Sequence, residues 1–468
     1  MFLNMEAAQF RHPGPAAPRR CFTPNLTTKT SGMSQTSAAK TSSLSPTAST
    51  GGVVAFVIWS LSALAFGYAF FQRVAPSVMV PDLMAEFAVS GAVLGQLSAL
   101  YFYPYAAMQL PIGALLDRYG ARIMLSLALL AAAAGSALFA MADSLALAYA
   151  GRFMVGAGSA VGFIASMALA ASWFEPRHFA FLTGGAMFFA MLCGIAGQAP
   201  LALAVEAVGW RTTMLWAAGF AFGLSALTAL IVRNSPVVRS AEQENDIRWS
   251  EIWAGLKRSV RRREVWRLAI VAMAMSGPML ALGGLWGVPF LTSAYGLERP
   301  AAAFYTSLSL FGWALGAPFM GWLSDRIRLR KLPVVVCAGL NLASLAAIAF
   351  VPGLPLALIA TLFFLSGFTG GVMVIAFAIA REVSPKPLHG TVSGLVNGMT
   401  VAAGAVLQPV VGWLLDLRWD GTMDGGARLY QAADYRFALI ALVVWAGIGF
   451  VLSFGLRETR CRPVPVLR

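Results

Sequence analysis

Twelve apolar runs of bilayer length leave this chain few possible folds. They occupy residues 53–79, 89–116, 123–141, 145–173, 179–204, 212–232, 268–293, 301–323, 332–351, 355–380, 389–415 and 436–456. At 1.5 Å of rise per residue, about 20 helical residues cross a hydrocarbon layer of about 30 Å. The longer runs therefore tilt or extend past the membrane. Of the 468 residues, 58% are apolar and only 12% charged. That balance excludes a soluble core and predicts an all-α, multi-pass membrane protein with about twelve transmembrane helices.

The runs fall into two sets of six. Residues 1–50, rich in Ser, Thr, Pro and Ala, read as a disordered tail. Residues 51–232 carry the first six runs and 268–456 the second six. Between them, 233–267 is a basic linker in which Trp249 to Arg262 has the pattern of an amphipathic surface helix. Residues 457–468 form a short tail. The halves repeat: at an offset of 209, Gly185 pairs with Gly394, Pro200 with Pro409 and Trp210 with Trp419.

The loop after the second run reads Gly113-Ala114-Leu115-Leu116-Asp117-Arg118-Tyr119-Gly120-Ala121-Arg122. A helix ends, a charged turn follows, and apolar sequence resumes at Ile123. Gly113 suits close helix packing, and Gly120 suits a positive φ. Gly321-Trp322-Leu323-Ser324-Asp325-Arg326 recurs in the second half, with Asp325 lying 208 residues after Asp117. The pair resembles the loop motif of the major facilitator superfamily. Two departures stand out: Ala121 replaces one basic position, and Arg328 stands where a glycine is expected. The resemblance implies two pseudo-symmetric six-helix bundles around a central site that opens alternately to each face. It makes Gly113, Asp117, Arg118, Gly120, Arg122, Gly321, Asp325 and Arg326 candidate gate residues. Arg152-Phe153-Met154-Val155-Gly156-Ala157-Gly158 resembles the fourth-helix motif of the same superfamily, which implies a buried arginine near the substrate path. In the fifth run, Gly194-Ile195-Ala196-Gly197-Gln198-Ala199-Pro200 departs from the order found in drug and cation antiporters.

Charge gives orientation. The net charge is +14, but the basic residues are spread along loops, so nucleic acid is not an expected partner. With the N-terminus in the cytoplasm, 27 of the 34 Lys and Arg fall on the cytoplasmic side. The positive-inside rule thus places both termini inside, in a cytoplasmic (inner) membrane.

Two arginines remain at membrane depth, Arg73 and Arg152, with no acid beside them in the apolar runs. Such residues face a cavity or a partner. Arg73 has the alternative of snorkelling to Asp82 or Glu86, and Arg152 that of a bond to helix carbonyls; Glu206 is a third edge carboxylate. Polar and aromatic groups in the apolar runs add Tyr101, Tyr105, Gln198, Trp286, Asn397 and Gln408 as candidate substrate contacts. Tyr101, Tyr103 and Tyr105 cannot share one helix face. Gly277-Pro278 and Gly283-Gly284 mark an expected kink or hinge. No nucleotide loop, nucleophile–base pair, cofactor motif or metal cluster is legible, so an enzyme is not expected, and the four scattered cysteines read as free thiols.

The favoured reading is a secondary or facilitative transporter of a small organic anion or zwitterion, of the carboxylate, amino acid or small peptide class. A proton is the candidate coupling ion, and a monomer in the bilayer the expected state. The alternatives are an efflux transporter of drugs, sugars or other small molecules, and a membrane sensor that does not transport. A reporter fused after Arg468 or inserted in the 233–267 linker is expected to read cytoplasmic; a signal from the opposite face would overturn the topology.

Overall fold

The computed structural model describes residues 52–109, 111–234, 263–384 and 389–462. The expected N-terminal tail, the surface helix from Trp249 to Arg262 and the final six residues lie outside that set.

The first half contains α1 (Val53–Val74), extended by a 3-10 turn over Ala75–Val78, and the short α2 (Val80–Phe87). It continues with α3 (Gly91–Ala99), α4 (Phe102–Met108), α5 (Ile112–Ala140), α6 (Leu145–Ser159) and α7 (Gly162–Trp173). The half closes with α8 (Phe179–Ala196), α9 (Ala199–Val208) and α10 (Trp210–Ile231). The second half opens with α11 (Arg263–Pro278), a π-helical stretch over Met279–Trp286, and α12 (Gly287–Tyr295). Then come α13 (Arg299–Ile327), α14 (Lys331–Phe350), α15 (Leu356–Gly370), α16 (Met373–Glu382) and α17 (His389–Asp416). A two-stranded hairpin, β1 (Met423–Asp424) and β2 (Ala427–Arg428), precedes α18 (Ala432–Ser453).

Among the described residues, ten segments are long and apolar enough to cross a membrane, and the pair bent by 110° after α2 makes an eleventh. The 29-residue α13 completes the expected set of about twelve; its Ser, Thr and terminal charges lower its hydropathy. The halves pack alike. In the first, α1 lies on α8, α5 on α6, and α5 on α10; in the second, α11 lies on α17, α14 on α15, and α14 on α18. The halves meet where α17 crosses α3 and α4, and where α13 crosses α8 and α9. A pseudo-two-fold axis exchanges these two crossings.

Lipid is as apolar as leucine, so helices associate here through close approach at small residues. A Cβ on Gly367 of α15 would collide with the backbone of Ser309 on α13, and one on Gly156 of α6 with the backbone of Tyr101. The close packing expected at Gly113 is not seen among the described residues, none of which comes within 4 Å of a Cβ placed there.

The two loop motifs turn differently. Gly120 breaks α5 at φ 79°, ψ 159°, an extended region that is essentially glycine's alone. Arg328, 208 residues later, takes φ 55°, ψ 36° and caps α13 through its N–H on the Ser324 carbonyl. That left-handed cap admits a side chain, at a cost of roughly 1–2 kcal/mol. Of the two places where a kink or hinge is expected, Gly283-Gly284 lies within the π-helical stretch and Gly277-Pro278 at the end of α11, just before it. Replacing Gly367 with Val is expected to destabilise the protein by about 1–3 kcal/mol through overpacking. Gly184→Ala, where a Cβ meets nothing, is expected to be neutral. Equal thermal midpoints for the two variants in detergent would contradict this packing account.

Candidate functional site

Arg73 sits in the last turn of α1, just before Pro76 forces the chain into a 3-10 turn. Its side chain is 5% exposed. The guanidinium carbon lies 4.2 Å from the ring centre of Phe70, 5.1 Å from that of Tyr105 and 5.7 Å from that of Tyr101. Its Nε has no hydrogen-bond partner. Aromatic faces carry negative potential and so offset part of the charge, about 2 kcal/mol where water is excluded.

Arg152 is 2% exposed on α6. Its Nη1 donates to the Gln72 carbonyl at 3.1 Å, while Nε and Nη2 have no partner. Its guanidinium lies 5.4 Å from the ring centre of Tyr101 and 5.9 Å from that of Phe139. The spacing of the fourth-helix motif now has a cause. Gly156, one turn after Arg152, lets α6 press on the backbone at Tyr101, and Gly158 lets the next face press on Ala128 of α5. Those two approaches bring Arg152 to Tyr101.

The Tyr101 ring thus lies near both guanidinium groups. Its hydroxyl donates to the Ala69 carbonyl at 2.9 Å, and its ring stacks on Tyr105. Behind it, the Gln72 amide donates to Tyr68 Oη at 2.6 Å and Ser136 Oγ at 2.9 Å. Tyr103 points away, 40% exposed, as the helix geometry required.

Neither arginine forms an ion pair among the described residues. The rival partners are engaged elsewhere: Asp82 binds Arg299 at 2.8 Å, and Glu86 binds Arg211 at 2.8 Å. Glu206 is exposed. The carbonyl bond weighed for Arg152 is present, but it uses only one of the guanidinium nitrogens.

The remaining candidates fall into two further groups. Gln198 and Gln408, both fully buried, donate to carbonyls of the π-helical stretch: Gln198 to Gly283 at 2.6 Å and Gln408 to Leu280 at 2.8 Å. Trp286 Nε1 donates to the Gln408 carbonyl at 2.9 Å, and Thr306 Oγ1 to Gln198 Oε1 at 2.8 Å. These groups hold the irregular backbone of the seventh span, where α-helical bonds are missing. Asn397 donates to Gln109 Oε1 at 2.7 Å, joining α17 to the second span. Gln72, Tyr68, Ser136 and Phe70 belong to the site without having been singled out from the sequence. Tyr68, Phe70 and Gln72 had no signal but proximity to Arg73 along α1, and Ser136, on α5, had none.

The candidate gate residues lie at the other end from Asp82. Asp117 is exposed, and Arg118 stacks on Tyr119. The Arg122 backbone N–H donates to Asn234 Oδ1 at 3.1 Å, and its Nε to the Ala229 carbonyl at 2.8 Å, so the motif loop is tied to the end of α10. Asp325 pairs with Arg330 at 2.7 Å, Arg330 also binds Glu382 at 2.8 Å, and Arg326 stacks on Trp322. Arg330 is held more firmly protonated than usual: burial alone would lower its pKa, but hydrogen bonds to Glu382 and Asp325 outweigh it. Gly321 faces Val374 at ordinary contact distance.

A family model described as Major Facilitator Superfamily matches residues 61–304 and 279–465. The chain belongs to the Major Facilitator Superfamily. As a member of that superfamily it is a multi-pass membrane transporter for small molecules, and not an enzyme. It is 26% identical over 379 residues to a probable sulfoacetate transporter of Cupriavidus necator, covering 77% of this chain and 87% of the relative. It is 26% identical over 372 residues to a gentisate transporter of Corynebacterium glutamicum, covering 77% and 81%. It is also 26% identical over 383 residues to a membrane sensor protein of Salmonella typhimurium, covering 75% and 82%. Among solved structures, a bacterial homologue of the human lysosomal transporter Spinster superposes with a TM-score of 0.71 at 16% identity, over 88% of this chain and 99% of that one.

A buried cation without a counter-ion costs stability. Arg73→Met is therefore expected to leave the thermal midpoint unchanged or raise it. A clear fall would mark Arg73 as a structural residue.

Proposed function

We propose that this protein is a secondary or facilitative transporter that moves a small organic anion or zwitterion across the cytoplasmic membrane by alternating access. One observation carries the reading: two permanent cations, each more than nine-tenths buried, share one tyrosine ring and have no carboxylate partner. Guanidinium stays charged in any site and offers a planar fork to a carboxylate, sulfonate or phosphate. An anion that visits the site removes the cost of leaving that charge uncompensated. Relatives whose names state organic-anion cargo, sulfoacetate and gentisate, support the same class.

In this reading Arg73 is the arginine that meets the substrate, with Tyr105 and Tyr101 as its aromatic walls. Arg152 stands behind the ring, fixing Tyr101 and the Gln72 carbonyl and adding positive potential. The π-helical stretch with Gln198, Trp286 and Gln408 forms the side of the second half, and Asn397 lies toward the Asp117 end. No acid lies beside the arginines, so a coupled proton travels on the substrate or on an edge carboxylate. Among the described residues, bonds between halves lie mostly toward the Asp82 end, as Arg299 to Asp82, Asp416 to Gly91 and Gln198 to Gly283, while Asn397 to Gln109 lies toward the other. With both termini cytoplasmic, the Asp82 end faces outward, and the weight of bonds there favours an inward-facing state. Asp117 and Asp325 with their motif glycines and arginines then lie at the inner face, where they steady the state in which that face is shut.

One relative is a membrane sensor protein, so binding and uptake are measured separately. Purified protein is screened by thermal shift against small carboxylates, sulfonates and their neutral amides, and hits are followed in proteoliposomes. Acids are expected to raise the midpoint of the parent and not of Arg73→Met. Loss of charge-assisted hydrogen bonds worth about 1.5–3 kcal/mol weakens affinity by roughly 10- to 100-fold. Arg152→Lys is expected to keep the charge but lose the fork, and uptake falls. Full uptake of a neutral amide, or full activity of both Arg73→Ala and Arg152→Ala, would overturn the anion reading. Binding without uptake would favour a sensor.

A further inference from the structure

We propose that Asp416 is the latch of the outer gate: a carboxylate of the second half that closes the molecule by capping a helix of the first. Asp416 ends α17. Its Oδ1 accepts the backbone N–H of Gly91 at 2.9 Å, and its Oδ2 that of Ala92 at 2.8 Å. These are the first two N–H groups of α3, which no intrahelical carbonyl can satisfy. An anion there also meets the positive end of the helix dipole. The sequence separation of 325 residues makes this a bond between halves, not a local cap.

The carboxylate is itself held in place. Tyr430 Oη donates to Asp416 Oδ1 at 2.5 Å and accepts from the Gly91 N–H at 2.9 Å. Arg428 Nη1 donates to Asp416 at 3.2 Å while its guanidinium stacks on Trp419, 4.1 Å from the ring centre. Ser293 of α12 donates to the Tyr430 carbonyl at 2.9 Å, tying the assembly to the seventh span. The β1–β2 hairpin that carries Arg428 lies on α2.

Contact at this point requires the two backbones to touch. A Cβ on Gly91 would come within 2.9 Å of the Gly412 carbonyl, and one on Gly95 within 2.5 Å of the Gln408 carbonyl. A Cβ on Gly412 would collide with the Gly91 carbonyl. Glycine on both faces lets α3 and α17 close until Asp416 reaches the helix start. Opening this end must part the same two helices, and then water takes over both the carboxylate and the freed N–H groups. The latch thus biases the equilibrium without locking it. It stands independently of the charge of the substrate.

The test reads gate opening directly. A reporter cysteine replaces Ser77, fully buried beside Gln198 at the sealed end, in a chain whose Cys21, Cys193, Cys337 and Cys461 are changed to Ala. Maleimide labelling is followed on protein in nanodiscs, where both faces are reachable. Asp416→Asn keeps the shape but loses the charge, and is expected to speed labelling about tenfold. Tyr430→Phe removes one donor to the carboxylate and one acceptor of the Gly91 N–H while Asp416 itself stays in place, and is expected to give a smaller rise; it decides the matter if Asp416→Asn does not fold. Gly412→Leu, which wedges the helices apart, is expected to match or exceed the Asp416→Asn rate. Labelling within about twofold of the parent in both Asp416→Asn and Tyr430→Phe would overturn the latch, whether or not Gly412→Leu opens the seam.

Discussion

The structure depends on two guanidinium groups buried within the helix bundle beside Tyr101. Each would cost several kcal/mol as a bare charge in hydrocarbon. The fold lowers that cost with aromatic faces and a single carbonyl bond, and it does not cancel it with an acid. Everything near the site follows from keeping those charges in place. Gly156 brings α6 to the Tyr101 backbone, Tyr101 is tethered to Ala69, and Gln72 is fixed by Tyr68 and Ser136 so that its carbonyl faces Arg152. The acids at the outer edge are taken by Arg299 and Arg211. That division keeps the interior charges available.

The second half answers with irregular backbone in place of charge. A π-helical stretch leaves carbonyls without their usual donors, and Gln198 and Gln408 supply amide N–H groups to two of them. Gln198 comes from the other half, so the bond both completes the seventh span and helps seal the molecule. The same economy holds for Asp416, whose carboxylate satisfies the start of α3 across the interface. Bonds of this kind are made and broken against water, which suits a protein whose halves must separate at one face while they join at the other.

Much of this was legible in the residues. Bilayer-length runs, the repeated loop motif and its superfamily resemblance fixed the architecture before any coordinates. Arg73 and Arg152 stood out because charge is rare in such runs. Other features were hidden for physical reasons. Gln198, Trp286 and Gln408 are conspicuous as polar groups in apolar sequence, but their bonds depend on carbonyls that only the π-helical backbone exposes. Asp416 looks like an ordinary loop acid, because its partners lie in the other half of the chain. Arg328 departs from the motif by residue type and takes a left-handed cap in place of the extended break at Gly120. Gly113 keeps the motif and meets no packing neighbour among the described residues.

The most direct test of the central claim is a structure determined with the carboxylate that stabilises the protein most in the thermal screen. The account predicts the carboxylate oxygens within hydrogen-bond reach of Arg73, between the Phe70 and Tyr105 rings, with Tyr101 still beside both arginines. An acid seated on Gln198 or Gln408, with Arg73 unmoved against its aromatic rings, would contradict it.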